Sequence, residues 1–248
     1  MIGVLPELAT LFAPAKLTVE LRVTGVRDDG MHLIDAEMVS LSMGDQLHLA
    51  PGDRVEYRGA WEGVGDGTDL VSRALAVLDE QRSVVVDKQV PAGAGLGGGS
   101  SDAAAILRAG GFDDLAAAAQ IGADVAFCLA GGRARVRGIG EIIEPLPFVE
   151  RTYTLLTPPV HCSTPEVYRR WDAMGGPVGA NGNDLEPAAL EVAPALGEWR
   201  DRLSQHTGTQ ARLAGSGSTW FVEGSYPGDD VVVATTVPAE PAYERPPG

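Results

Sequence analysis

Five glycines and two serines fall within nine residues of this chain, inside the stretch "VPAGAGLGGGSSDAAAIL" from Val90 to Leu107. Glycine weakens strands and helices alike, so this density marks a place where the backbone must come close to something. An apolar, β-branched run, "SVVVDKQV", leads into the stretch and an alanine-rich segment leads out. The expected order is therefore strand, loop, helix. The first amides of a helix lack intrahelical acceptors and point outward, which suits a glycine-lined helix mouth to an anion. A plain flexible turn is the competing reading, and it does not explain why so many destabilising residues are concentrated here.

The spacing narrows the choice of anion. Gly93, Gly95 and Gly98 fit G-x-G-x-x-G, but a dinucleotide fold needs a second strand ending in an acid about 20 residues later. At that distance Asp113 and Asp114 stand at a helix start with no strand before them. No Lys-Ser or Lys-Thr follows the glycines, so the Walker A pattern fails as well. What remains is a backbone cradle for phosphates, with the Ser100 and Ser101 hydroxyls available to a phosphate or its magnesium.

Charge and cysteine usage exclude several classes. With 19 basic and 34 acidic side chains the formal net charge is −15, which opposes an extended nucleic-acid surface. A small anion stays possible where amides and a few placed cations act locally. Cys128 and Cys162 are far apart, so neither a disulfide framework nor a zinc site is expected, and no metal-ligand set is singled out. The start "MIGVLPELATLF" lacks the basic leader of a signal peptide, and no apolar run reaches the roughly 18 residues of a membrane span. The expectation is a cytoplasmic protein without a membrane or nucleic-acid partner. There is no G-x-S-x-G elbow and there are only four histidines, so hydrolase chemistry has no support.

Patterning gives an α+β chain. "KLTVELRV", from Lys16 to Val23, alternates as a half-buried strand, "TGVRDDGMH" turns, and "IDAEMVSLSMGDQLHLA" continues as strand. Thr68 to Gln81 has helical spacing with Thr68 or Asp69 as cap. "SSDAAAILRAGG" reads as a helix capped by Ser100 or Ser101 and ended by Gly110 and Gly111. A second helix runs from "FDDLAAAAQ" to a turn at Gly122, and "RARVRGIGEIIEPL" reads as a hairpin. Later come helices at "STPEVYRRWDAM" and around Leu190 to Leu203, strands in "TQARLAGSGSTWFVEG" and "DVVVATTV", and a disordered tail, "PAEPAYERPPG". The Pro-rich joint from Pro145 to Val149 sets the expected domains at 1–148 and 149–248.

The loop resembles the phosphate loop of the GHMP kinases, and within them that of the 4-diphosphocytidyl-2-C-methyl-D-erythritol kinases. Five further segments agree in order: "APAKLTVELRVTGVRDDGMH", "IGADVAFC", "STPEVY", "NDLEP" and "LAGSGS". The resemblance implies a two-domain fold, with an N-terminal domain like ribosomal protein S5 domain 2 and a ferredoxin-like C-terminal domain. It implies transfer of the γ-phosphoryl of ATP, with Mg2+, to the 2-hydroxyl of a cytidyl-linked polyol phosphate ester, in a monomer or weak homodimer. Asp124 matches the catalytic aspartate and Lys16 the lysine expected against it. Taken alone, Asp124 reads equally well as a helix cap beside Gly122, and Lys16 as a solvated strand residue. ATP would lie on Gly93, Gly95, Leu96, Gly97, Gly98, Gly99, Ser100 and Ser101, with Lys88 and Asp69–Leu70 near adenine and Gly215 and Gly217 in a second, supporting loop. Thr18, Met31, His32, Thr164 and Tyr168 fall at substrate positions, His32 on the cytosine edge and Tyr168 on one face of the base. Asn183, Asp184 and Glu186 read as capping and packing residues. Met31 and Thr18 replace a tyrosine and an asparagine of the family, and the chain is trimmed around "DEQRSVVV" and "LRAGGFDD". These departures leave two alternatives: a GHMP kinase for another small alcohol, and a nucleotide-binding homologue without catalysis.

Overall fold

Apolar residues at alternate positions over two long stretches build an antiparallel hairpin, β1 (Ala9–Val26) with β2 (His32–Ala50), closed by a turn in which the Arg27 amide donates to the Met31 carbonyl at 2.8 Å. The computed structural model describes residues 5–60 and 62–239. Strand β1 breaks register with β2 between Pro14 and Lys16, between Thr18 and Glu20, and between Val23 and Gly25. Such bulges re-aim side chains. Here every residue from Ala15 to Val19 is buried, so the simple half-buried alternation expected for this strand does not hold. The reason is a second layer. Leu17 and Val19 pack with Tyr153, Leu155 and Phe221, whereas Ala13 and Leu21 join the larger core on the other side. Lys16 and Thr18 lie between the two.

Strand β2 is the spine of a seven-stranded sheet. Its C-terminal half pairs with β5 (Ser83–Lys88) and its N-terminal half with β6 (Arg133–Gly138). β5 continues, in parallel, to β3 (Val55–Gly59) and then β4 (Gly63–Val64), and β6 to β7 (Ile142–Pro145) as the expected hairpin. Helices α1 (Leu70–Val77), α2 (Gly98–Ala109), α3 (Leu115–Ile121) and α4 (Val125–Ala130) form a layer against it, with α2 at its centre. α2 is buried along nearly its whole length, from Ser101 to Leu107, because alanines let neighbours approach closely.

Between β7 and β8 (Thr152–Leu156) the chain passes to a four-stranded sheet of order β11–β8–β10–β9, with β9 (Arg212–Leu213), β10 (Trp220–Glu223) and β11 (Val232–Thr235). Helices α5 (Thr164–Ala173), α6 (Glu186–Val192) and α7 (Leu196–Thr207) accompany it. The two sheets are stitched together. Asp184 accepts from the Arg22 guanidinium at 2.7 Å and from the Val23 and Gly179 amides, and its own amide donates to the Leu21 carbonyl. That is the packing role expected of "NDLEP".

Three local expectations change. The helix expected from Thr68 to Gln81 is confined to α1, with Asp69 as the cap accepting from the Ser72 amide. The single helix around Leu190 to Leu203 is α6 and α7, interrupted at Pro194, which has no amide to continue α6. Neither Ser100 nor Ser101 caps α2: the cap is Gly97 in the left-handed region, so both serines lie inside the first turns. The tail from residue 240 onward lies outside the described residues. Ile106 is fully buried in the central helix, and Ile106→Ala should cost about 2–5 kcal/mol in urea unfolding. A loss below 0.5 kcal/mol would show that α2 is not the core element described.

Candidate active site

The glycine loop is held from two sides by backbone contacts that leave no room for a side chain. A Cβ on Gly95 would stand 2.6 Å from the Gly217 carbonyl oxygen and 2.9 Å from that of Ala214, both in the second glycine loop. The Thr219 amide donates to the Ala94 carbonyl at 3.1 Å, joining the loops directly. Asn183 secures the second loop by donating to the carbonyls of Leu213 and Gly215. On the opposite side the Lys16 amide donates to the Leu96 carbonyl at 2.9 Å, and a Cβ on Gly97 would strike the Lys16 chain at 2.6 Å. The loop is therefore a braced cradle.

Two cavities meet on this cradle. One, of about 370 Å³, is lined by Gly93 to Ser100 together with Tyr57, Asp69, Leu70, Lys88, Val90 and Asp102. The other, of about 530 Å³, contains Lys16, Thr18, Met31, His32, Asp124, Thr164, Tyr168 and Gly215. Gly95 and Gly97 line both. At that junction Lys16 Nζ lies 3.0 Å from Asp124 Oδ2 and donates to Thr18 Oγ1 at 3.1 Å. Asp124 sits just before α4 but makes no capping bond, so its carboxylate goes to Lys16 and not to the helix. The cap reading fails here. The Lys16 side chain is 7% exposed and that of Asp124 32%, which leaves the carboxylate reachable from the larger cavity.

Residues 69–132 match the model of the GHMP kinases N terminal domain. A 4-diphosphocytidyl-2-C-methyl-D-erythritol kinase of Granulibacter bethesdensis is 37% identical, with 87% of this chain and 85% of that protein covered. Another, of Paracoccus denitrificans, is 36% identical with 84% of each covered. The chain belongs to the 4-diphosphocytidyl-2-C-methyl-D-erythritol kinase family. Within this family, a crystal structure of 4-(cytidine 5'-diphospho)-2C-methyl-D-erythritol kinase superposes with a TM-score of 0.75 at 28% identity, over 92% of this chain and 99% of that one. A mevalonate kinase structure, at TM-score 0.61 and 11% identity over 94% and 100% of the chains, shares the GHMP kinase fold.

In this family member, some expected site residues stand differently from the sequence reading. Ser101 is turned into the core, where its hydroxyl donates to Cys128 Sγ at 3.4 Å; Ser100 is the serine on the cavity. Starting the helix at Gly98 rotates Ser101 inward. Gly217 braces Gly95 and lines neither cavity. Lys88 lines the smaller cavity, but its ammonium is enclosed by the buried carboxylates of Asp45 and Asp102, the latter at 2.7 Å. Asp45 also accepts from the Gln89 and Val90 amides, which ties the entry of the loop to β2. Met31 and Tyr168 both line the larger cavity. His32 leans on Tyr168 with ring centroids 4.6 Å apart, meets Trp171 edge-on at 5.7 Å, and pairs with Asp172 at 2.8 Å. Thr164 closes the cavity by bonding Ser216 at 2.7 Å.

The sequence reading missed Asp45, Asp102, Trp171 and Asp172. Asp102, the lone acid in an otherwise small, apolar helix, carried a legible signal; the partners of His32 carried none. Burial, together with the nearby Asp45 charge and against the pull of Lys88, raises Asp102 to about 7. Burial and the Asp124 charge push the Cys128 thiol up to about 12, so it is inert behind the site.

Gly95→Ala should abolish measurable ATP binding in calorimetry while the chain still folds, since the added methyl meets two backbone carbonyls of the second glycine loop; near-normal affinity would refute the braced loop. For Asp102, a folded-state value above the unfolded one near 3.9 means that stability falls as pH rises through that interval. The wild type should therefore lose on the order of 2–4 kcal/mol relative to Asp102→Asn between pH 4 and pH 7. Urea titrations whose difference stays flat with pH would contradict this.

Proposed function

We propose that this chain transfers the γ-phosphoryl group of ATP to the 2-hydroxyl of 4-diphosphocytidyl-2-C-methyl-D-erythritol, the compound after which its kinase relatives are named. The observation that carries the mechanism is the meeting of two cavities at Gly95 and Gly97 beside the Lys16–Asp124 pair. ATP takes the smaller cavity, its phosphates on the amides of Gly97 to Ser100 at the mouth of α2 and its adenosine toward Tyr57, Asp69, Leu70 and Lys88. The alcohol takes the larger one, its base against His32 and Tyr168 and its reacting end toward Asp124.

Phosphoryl transfer is chiefly positioning and charge neutralisation. The substrate hydroxyl oxygen forms the new bond to the γ-phosphorus, the bond from that phosphorus to the β,γ-bridging oxygen breaks, and ADP leaves. Asp124 accepts the hydroxyl proton as general base. Lys16 pairs with that carboxylate and, lying against Gly97, places positive charge beside the transferring group. Thr18 fixes the Lys16 ammonium. Magnesium fits this site as an ion carried by the nucleotide. Ser100, on the smaller cavity, would offer that ion a hydroxyl. When bound, it offsets phosphate charge.

We further propose a division of labour near residue 148, with the preceding residues supplying the cradle and the base and the following ones bracing them. Among the described residues no helix is long and apolar enough to cross a membrane.

Purified protein with ATP, magnesium and the cytidyl substrate should release ADP and give a product phosphorylated at the 2-hydroxyl by phosphorus NMR. Asp124→Asn should lower kcat by roughly a hundred- to ten-thousand-fold while ATP affinity changes little. Turnover of mevalonate or homoserine in preference to the cytidyl compound would overturn the substrate, and a fully active Asp124→Asn enzyme would overturn the base.

A further inference from the structure

The larger cavity has to receive a nucleoside diphosphate ester, and its supply of positive charge is small. Among its described lining residues only Lys16, His32 and Arg169 are basic. Lys16 is engaged by Asp124 at 3.0 Å and His32 by Asp172 at 2.8 Å. Arg169 is held more loosely. Its guanidinium reaches Glu166 only at 3.9 Å, on a side chain 73% exposed, and its Nε donates to the Pro165 carbonyl at 3.3 Å. Thr164, Pro165, Tyr168, Arg169 and Asp172 recur at the spacing of one helical face, and all of them line the cavity. Arg169 thus shares a wall with Tyr168 and Asp172, which surround His32 at the base end, and with Thr164, which is bonded to the second glycine loop.

We infer that Arg169 is a specificity-determining residue that binds the diphosphate of the acceptor substrate. The inference rests on the proposed function. A chain of net charge −15 repels a dianion at long range, so recognition needs a local cation, and a guanidinium matches phosphate oxygens in pairs. Because the weak contact with Glu166 is given up for charge-assisted bonds to phosphate, binding gains without uncovering a buried charge.

The test uses the full chain in three forms, wild type, Arg169→Ala and Arg169→Lys, with Arg170→Ala as a control on a residue paired instead with Glu191. CDP and cytidine are the binding probes, measured by calorimetry. Wild type should bind CDP more tightly than cytidine. Arg169→Ala should weaken CDP about tenfold and leave cytidine unchanged, Arg169→Lys should recover part of the loss, and Arg170→Ala should alter neither. In turnover, Arg169→Ala should raise KM for the cytidyl substrate about tenfold, with kcat and KM for ATP within twofold of wild type. An equal loss of CDP and cytidine affinity, or a loss in Arg170→Ala matching that in Arg169→Ala, would overturn the inference as structural damage or general charge. Unchanged CDP binding in Arg169→Ala, while wild type still turns over the cytidyl compound, would overturn the inference alone. A wild type that binds neither probe would remove the functional reading beneath it.

Discussion

Backbone meets backbone at Gly95, and the rest of the site is arranged around that contact. Because two carbonyls of the second glycine loop lie within 3.0 Å of where a Cβ would be, the phosphate loop can close on its support only without a side chain. The same closeness brings the support from a distant part of the chain, through Thr219 and Asn183, to bear on the loop. On the other side Gly97 lies directly on the Lys16 chain. A small shift of either neighbour would move the helix mouth relative to Lys16 and Asp124, and the proposed phosphoryl transfer depends on that register.

An acidic protein that handles two phosphate-bearing molecules needs its few cations where they act. Lys88 is clamped beneath the loop between Asp45 and Asp102, and Lys16 is held by Asp124 and Thr18. Burying one ammonium with two carboxylates is costly by itself, and burial shifts Asp102 toward its protonated form. The arrangement ties β2, β5 and α2 together under the cradle, which suits a role in holding geometry. In the proposed reading, main-chain amides then meet the anion without adding net charge.

The His32 end of the larger cavity shows the same economy. His32 lies at the start of β2 and its partners Tyr168, Trp171 and Asp172 on α5, so one imidazole links the two sheets' elements across the cavity. Met31 is 47% exposed, and Tyr168 and Trp171 of α5 stand against the His32 ring.

What could be read from the sequence was local. The glycine density, the alanine-rich helix after it and the Asp69 cap depend on neighbours a few residues away, and they appear in the structure nearly where expected, whereas the alternation expected of β1 is lost to a second layer packed on it. The resemblance in six ordered segments led to the family that the relatives establish. Tertiary structure decided the rest, because the deciding contacts join residues far apart along the chain: His32 with Asp172, 140 positions away, Asp45 with the loop entry, 44 and 45 positions away, and Gly95 with Gly217. Capping α2 at Gly97, not at a serine, turned Ser101 inward, where it packs on Cys128. Local pattern specifies which backbone can form, but a side chain's partner is set by which strands and helices the core brings together.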